Sequence, residues 1–445
     1  MYIDEMKLSD LMYPNRFECE CGQTHSTTVR FCDIGSGVIA DMLPERIKEY
    51  GFKKAMIYAD RNTWKAAGRE VTDAIKDMPY TLYTFADKDV FGNESSTGQA
   101  VFNFDDSCDL ILAVGSGSVN DVSKAVSRIS KTPYIIIGTA PSMDGFASNT
   151  SSMVVDGLKV SLSTTGPFGV IIDTKILKDA PHEMICAGVG DLAAKYISIA
   201  EWKISNIING EQFCPHVANI MMNSLNDCMD NLDRIMERDE EALGTVAKGL
   251  VLAGMAMNFA ESTRPASGME HYFSHVWDMR ALEFGYREYL HGAQVGVGTL
   301  YALEVYEKLR NVVPDKEKAY AYVSSFDLEK WNGELRKFLG NSSRSMILLE
   351  KKEGKYDPEK CKKRIDIIAE KWDEIQEVIH SLPTRDELYQ RFSKIGAMTD
   401  ISEMNITPEV ARQTFLTTKD IRDKYVGTRL LFDLGIIDEF AGDMF

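Results

Sequence analysis

An α/β N-terminal domain over residues 1–180, followed by an all-α domain over 181–445, is the fold class this sequence predicts. Three observations predict it. Strand-like and helix-like runs alternate through the first 170 residues, helix-periodic runs take over from about Pro181, and 445 residues are too many for one core.

Val29 to Ile34 reads as a strand, Gly35-Ser36-Gly37 as a turn, and Ile39 to Tyr50 as an amphipathic helix. A second strand, Ala55 to Ala59, ends at Asp60-Arg61-Asn62 and leads to a helix over Thr63–Lys76 and a strand near Thr81–Phe85. Leu110 to Val114 is an apolar strand running straight into Gly115-Ser116-Gly117-Ser118 and a helix from Val119 to Ser130. Tyr134 to Gly138 follows as another strand, then a hairpin around Asp156-Gly157, then a strand at Phe168–Ile172. Such alternation implies a parallel sheet, whose ligands gather at the carboxyl ends of the strands. Asp60, the 115–118 loop and the 139–148 loop all lie there. Beyond the boundary, Ile185–Ile204, Val217–Met236, Ala242–Glu261, His271–Phe284 and Gln294–Tyr306 are helix-periodic.

With 44% hydrophobic and 26% charged residues the chain has ordinary globular chemistry, and no uninterrupted apolar run reaches membrane-spanning length. A formal charge of −17 repels nucleic acid and anionic lipid alike, so neither is expected as a partner. Met1 to Asp10 carries acidic residues and no signal-peptide core, which leads to the expectation of a cytoplasmic protein. The eight cysteines are scattered and read as reduced thiols. Their one tight group is Cys19, Cys21 and His25, with Cys32 further on. A small zinc knuckle can be drawn from these four, against a plain edge hairpin, but Cys-x-Cys is shorter than the usual spacing.

The chemistry concentrates between Gly188 and Gly292. Asp191, His271, His275 and His291 sit inside apolar helical sequence, in a chain of only seven histidines. Groups of this kind are costly to bury unpaired, and sharing a cation would relieve them. Surface or satisfied core histidines are the plain alternative. His271 and His275, four apart, share a helix face. In the first domain, Gly115 to Ser118 has the physics of a pyrophosphate cradle, in which small residues and helix-start N–H groups admit an anion. Asp60 precedes it on an earlier strand, where a carboxylate can accept from ribose hydroxyls. An ordinary Rossmann unit puts that acid about 20 residues after the glycines. The fold is then a dinucleotide fold of another kind, or none.

Together, Val114-Gly115-Ser116-Gly117-Ser118-Val119-Asn120-Asp121-Val122-Ser123-Lys124, the Thr139–Ser148 loop, Gly188-Val189-Gly190-Asp191, Gly268-Met269-Glu270-His271 with His275, and His291-Gly292 resemble the sn-glycerol-1-phosphate dehydrogenases. These belong with 3-dehydroquinate synthase, glycerol dehydrogenase and the iron-containing alcohol dehydrogenases. The resemblance covers roughly residues 30 to 300, and the Cys19–His25 stretch is similar to the bacterial, arabinose-operon-associated branch. It implies a dehydroquinate synthase-like fold with an N-terminal dinucleotide-binding domain. NAD or NADP would be lined by Asp60, Gly115, Ser116, Gly117, Ser118, Asp121, Thr139, Ser142 and Ser148. One divalent metal would be bound by Asp191, His271 and His291, with Asp144 and His275 contacting substrate. The implied reaction is hydride exchange between nicotinamide and C2 of dihydroxyacetone phosphate or sn-glycerol 1-phosphate, in a homo-oligomer. His275 as a fourth ligand is the variant of that reading.

Lys195 stands where iron-containing alcohol dehydrogenases place a further histidine, which favours zinc or nickel over iron. Ser116 stands where many relatives have glycine, and its backbone N–H is retained. Lys159, Lys195 and Arg264 are the candidates for the substrate phosphate. Glycerol or another polyol as substrate, and a dehydroquinate synthase-type cyclisation, are the alternatives.

Overall fold

The computed structural model describes residues 2–86, 90–156 and 158–445. Chain order runs β1 (Arg16–Glu18), β2 (Thr24–Ser26), β3 (Phe31–Gly35), α1 (Val38–Tyr50), β4 (Ala55–Asp60), α2 (Arg61–Ala74), β5 (Tyr80–Phe85), α3 (Glu94–Phe102), β6 (Leu110–Gly115), α4 (Gly117–Ser130) and β7 (Tyr134–Gly138). It continues through β8 (Thr150–Val155), β9 (Leu158–Ser163), β10 (Gly169–Asp173), α5 (Thr174–Lys178), α6 (His182–Ala193), α7 (Lys195–Asn209), α8 (Pro215–Asp230), α9 (Leu232–Met236), α10 (Glu240–Phe259), α11 (Met269–Phe284) and α12 (His291–Leu309). Beyond Leu309 the described elements are all helical, down to Ile437–Met444.

Six strands form one parallel sheet in the order β3-β10-β7-β6-β4-β5. β6 and β7 are buried along their whole length, which is why they read as apolar runs rather than as alternations. On one face, Ile39 and Leu43 of α1 and Ala67 and Val71 of α2 pack against Ile57, Leu112, Ile135 and Ile171. Each such aliphatic chain taken from water contributes about 1.5–3 kcal/mol. β4 and β6 are neighbours, with Ala59 opposite Val114, but the chain leaves β4 toward β5 and leaves β6 toward β7. The crevice where such a sheet changes direction is its natural ligand site, and Asp60 and Gly115 end the two strands that border it.

Compact units do not follow a single cut at residue 180. The first comprises Met1–Asp156, Val160–Leu192 and Pro215–Thr263, so α8 to α10 and most of α6 group with the sheet. The second comprises Ala193–Cys214 and Arg264–Phe445, with Lys159 of the β8–β9 hairpin. Within the first unit, α10 is long and apolar enough to cross a bilayer, yet 78% of its apolar window is buried in the protein.

Several elements differ from expectation. The helix expected over Ile185–Ile204 is interrupted at Ala194, and that over Val217–Met236 at Asn231, whose backbone (φ −106°, ψ 13°) leaves the helical region. Helix α3 had not been anticipated from its hydroxyl-rich sequence. It is started by Asn93, whose side chain accepts from the Ser96 N–H at 2.8 Å. The β8–β9 hairpin forms as expected, while Gly157 at its turn lies outside the described residues.

Candidate active site

In the first unit the 139–148 loop is gripped from three sides. The Ser142 hydroxyl meets that of Ser116 at 2.7 Å, and the Thr139 N–H donates to Gly115 O at 3.1 Å, which ties the loop to the 115–118 turn. Lys124, fully buried on α4, donates to Gly145 O (2.6 Å), Ser148 Oγ (3.0 Å) and Thr150 O (2.8 Å), with Asp121 Oδ1 at 3.7 Å. Helices α6 and α10 close the third side. A Cβ on Gly188 would stand 1.8 Å from Pro141 O, and one on Gly254 would stand 2.8 Å from the Ser148 backbone nitrogen. Glycine is required at 188 because a backbone runs through the space a side chain would occupy. Three residues on, Asp191 is completely buried and its Oδ2 accepts from the Asp144 backbone N–H at 2.8 Å.

The cradle residues fit an anion. Helix α4 starts at Gly117, immediately after β6, so its first-turn N–H groups open at the carboxyl edge of the sheet. Gly115 keeps that turn tight, since a Cβ there would stand 2.6 Å from Val119. Asp60 caps α2, its Oδ1 accepting from the N–H groups of Asn62 (2.7 Å) and Thr63 (2.8 Å). That capping role gives the carboxylate a structural reason to be there.

In the second unit three imidazoles cluster. The ring centroids of His271 and His291 are 5.2 Å apart, and His275 lies 6.3 Å from the first and 6.1 Å from the second. Each of the first two is fixed through Nδ1. His271 Nδ1 meets the buried Glu270 Oε1 at 2.8 Å, and because a carboxylate only accepts, the proton is on Nδ1 and the lone pair on Nε2. For His291 the same assignment follows along a chain. Asp278 Oδ1 accepts from Gln294 Nε2 (3.0 Å), which turns Gln294 Oε1 toward Ser274 (2.8 Å). The one hydroxyl proton of Ser274 goes there, so its oxygen accepts from His291 Nδ1–H (3.0 Å). Two imidazoles with Nε2 lone pairs and hydrogen-bonded Nδ1 atoms are the arrangement metal-ligating histidines adopt.

Other groups shape the electrostatics. Burial, then the Arg422 charge, hold His275 well below the usual imidazole range, so it is neutral at physiological pH. Its Nδ1 is buried without a hydrogen-bond partner among the described residues. Glu201 accepts from the N–H groups of Met269 (2.9 Å) and Gly427 (2.7 Å) and from the Tyr306 hydroxyl (3.0 Å). Burial, with the Glu270 charge next in weight, pushes it up to about 8.

The family model described as iron-containing alcohol dehydrogenase matches residues 33–181. A glycerol-1-phosphate dehydrogenase [NAD(P)+] of Bacillus licheniformis is 27% identical over 429 residues, 95% of this chain and 94% of that one. Those of Halalkalibacterium halodurans (34%, 65% of this chain and 74% of that one) and Geobacillus thermodenitrificans (30%, 85% of each) are also similar. The chain belongs to the glycerol-1-phosphate dehydrogenase family. It is thereby an NAD(P)-dependent oxidoreductase. Among solved structures, glycerol dehydrogenase from Schizosaccharomyces pombe superposes with a TM-score of 0.59 at 16% identity, covering 94% of this chain and 91% of that one. NADH-dependent butanol dehydrogenase A from Thermotoga maritima gives 0.57 at 15%, covering 93% and 97%. At such identities these two speak for the fold.

Within that family frame, the three candidates for a phosphate clamp divide. Arg264 is buried against Glu211 (2.6 Å) and Tyr425 O (2.8 Å), a structural tie. Lys195, fully buried, donates to Ala266 O at 3.1 Å. Lys159, the more accessible, lies 3.4 Å from Asp278 Oδ2. Lys124, Glu270, Ser274, Asp278 and Gln294 were given no role from sequence. A signal existed for three of them, because Glu270, Ser274 and Asp278 recur every four residues along a largely buried helix. Lys124 shows the same pattern with Asn120, Ser123 and Ser127, all buried polar residues of α4.

Proposed function

We propose that this chain reduces dihydroxyacetone phosphate to sn-glycerol 1-phosphate with NAD(P)H, using a divalent metal held by Asp191, His271 and His291. The carrying observation is the pair of imidazoles 5.2 Å apart with both Nδ1 protons committed to acceptors, in a chain of this family. In support, one carboxylate with two imidazoles is a donor set that suits a divalent metal. Zinc or nickel is preferred to iron, since Lys195 takes the place of a further histidine. When bound, the cation polarises the ketone oxygen and the nicotinamide supplies hydride.

The chain's own residues do the rest. Gly115, Ser116, Gly117 and Ser118 present backbone N–H groups to the cofactor pyrophosphate, with Asp121, Thr139, Ser142 and Ser148 shaping the cradle and Asp60 at the ribose. The Asp144 backbone orients the Asp191 carboxylate, and the Asp144 side chain contacts substrate. His275, kept neutral by its burial, contacts substrate and carries a proton to or from the C2 oxygen. The Lys159 ammonium is the cation offered to the substrate phosphate. A soluble, cytoplasmic homo-oligomer completes the reading, without nucleic-acid or membrane partners.

The test is an assay of metal-reconstituted protein with dihydroxyacetone phosphate and NADH or NADPH, followed by chiral analysis of the product. The sn-1 phosphate is expected. The sn-3 phosphate would overturn the stereochemical assignment. Turnover of glycerol unaffected by phosphate on the substrate would replace the proposal with a polyol dehydrogenase.

A further inference from the structure

The second cluster of soft ligands lies at the N-terminal hairpin, remote in sequence from every residue given a role above. Strands β1 and β2 are three residues each, pairing Arg16 with Ser26 and Glu18 with Thr24. A hairpin this short is marginal unless something else holds it. Its turn carries Cys19 and Cys21, closed by Cys19 N–H to Gln23 O (3.0 Å) and Gly22 N–H to Cys19 O (2.9 Å), with Gly22 at φ 85°. Glycine is needed at that left-handed position, and the tight turn lets two thiols only two residues apart serve one site.

His25, on β2, is completely buried. Its Nδ1 lies 2.8 Å from the Phe259 carbonyl oxygen, an acceptor, so Nδ1 carries the proton and Nε2 the lone pair. That Nε2 stands 3.5 Å from Cys21 Sγ. The fourth member is Cys214, joined directly to Pro215 at the start of α8. Two residues on, His216 meets Asp4 (2.8 Å) and Glu20 (3.1 Å), and Asn219 donates to Asp4 (2.9 Å), so the start of α8 is pinned to the same N-terminal segment. Cys19, Cys21, His25 and Cys214 each offer one donor atom, all within 4.8 Å of one another. Cys32, expected from sequence as the fourth ligand, is absent from the group, and Cys214 takes that place. Cys32 sits on β3, an edge strand of the parallel sheet, opposite Val170, and burial raises its thiol far above the ordinary range.

We propose that Cys19, Cys21, His25 and Cys214 bind a structural zinc ion that staples the N-terminal hairpin to the start of α8. Three thiolates and one imidazole are a soft, tetrahedral donor set, and zinc bonds of about 2.3 Å to sulfur and 2.0–2.1 Å to nitrogen bring such donors to spacings of this order. Four protein ligands leave no open position, so the ion is structural rather than catalytic. Binding displaces the thiol protons to solvent and ties residues 19–25 to residue 214, a linkage the hairpin's own few hydrogen bonds do not provide.

The experiment uses full-length reduced protein, stripped of metal and titrated with cobalt(II), then with zinc. A thiolate-to-cobalt charge-transfer absorption that saturates at one equivalent, and is abolished by zinc, is expected. The same absorption is expected undiminished in His271→Ala and lost in Cys21→Ser. Metal analysis after zinc loading should give two ions per wild-type chain, one fewer in either variant. Cobalt binding without the charge-transfer band in the wild type would overturn the proposal. So would a mass 2 Da low in the unreduced protein, marking a disulfide among these cysteines. The wild-type titration decides the matter even if Cys21→Ser fails to fold, and it is independent of what reaction the chain catalyses.

Discussion

Gly188→Ala probes how closely α6 is set against the 139–148 loop. The new Cβ would stand 1.8 Å from Pro141 O and 2.9 Å from the Pro141 carbonyl carbon, both backbone atoms. Carbon and oxygen come no closer than about 3.3 Å in ordinary packing, so helix and loop must separate by roughly 1.5 Å. Overpacking of this kind costs about 1–3 kcal/mol. The displacement falls on the bond from the Asp144 N–H to Asp191 Oδ2, now 2.8 Å. A misplacement of about 1 Å in catalytic geometry costs on the order of 100-fold in rate. Urea unfolding and steady-state turnover, measured side by side, should show both losses. Gly333→Ala is the control, because nothing lies within 4 Å of the added methyl in the helix Leu328–Leu339. There a gain of about 0.5–1 kcal/mol and unchanged turnover are expected. Gly188→Ala with wild-type stability and turnover would refute the close approach.

Ser274→Ala removes the acceptor for His291 Nδ1–H, and metal affinity should fall about 10- to 100-fold by competitive titration, with unchanged affinity rejecting the hydrogen-bonded chain. His275→Ala should lose about 10²- to 10⁴-fold in kcat while keeping its metal, whereas loss of metal would make His275 a fourth ligand. Glu201 supplies a pH test. Its folded value of about 8 lies above the unfolded value near 4.5, so the folded state keeps a proton that the unfolded chain releases. That contribution to stability is complete below about pH 4.5 and is lost as pH rises through about 8. Urea midpoints of Glu201→Gln should therefore decline less between pH 5 and 8 than those of the wild type, and equal slopes would contradict the shift.

The parallel sheet was legible because β6, β7 and β10 are apolar runs bounded by glycine, aspartate or proline, and burial on both faces leaves no other pattern. Helix ends were less so. Asn231 interrupts a helix through its own backbone angles, and no composition signal marks it. The grouping of α8 to α10 with the sheet was hidden because helical periodicity reports a buried face but not what it is buried against. At the candidate site the imidazoles stood out as costly groups in apolar sequence. The residues that orient them, Glu270, Ser274 and Gln294, did not, since a hydrogen-bond chain depends on side chains from two helices meeting. Cys214 was illegible for the same reason, nearly two hundred residues from the hairpin it serves.

The central claim, that one carboxylate and two imidazoles hold the reacting metal, is tested most directly by metal stoichiometry. Asp191→Asn, His271→Ala and His291→Ala should each lose one equivalent of zinc or nickel relative to the wild type and, with it, reduction of dihydroxyacetone phosphate. Retention of that equivalent by any one of the three, with the fold intact by circular dichroism, would contradict the account.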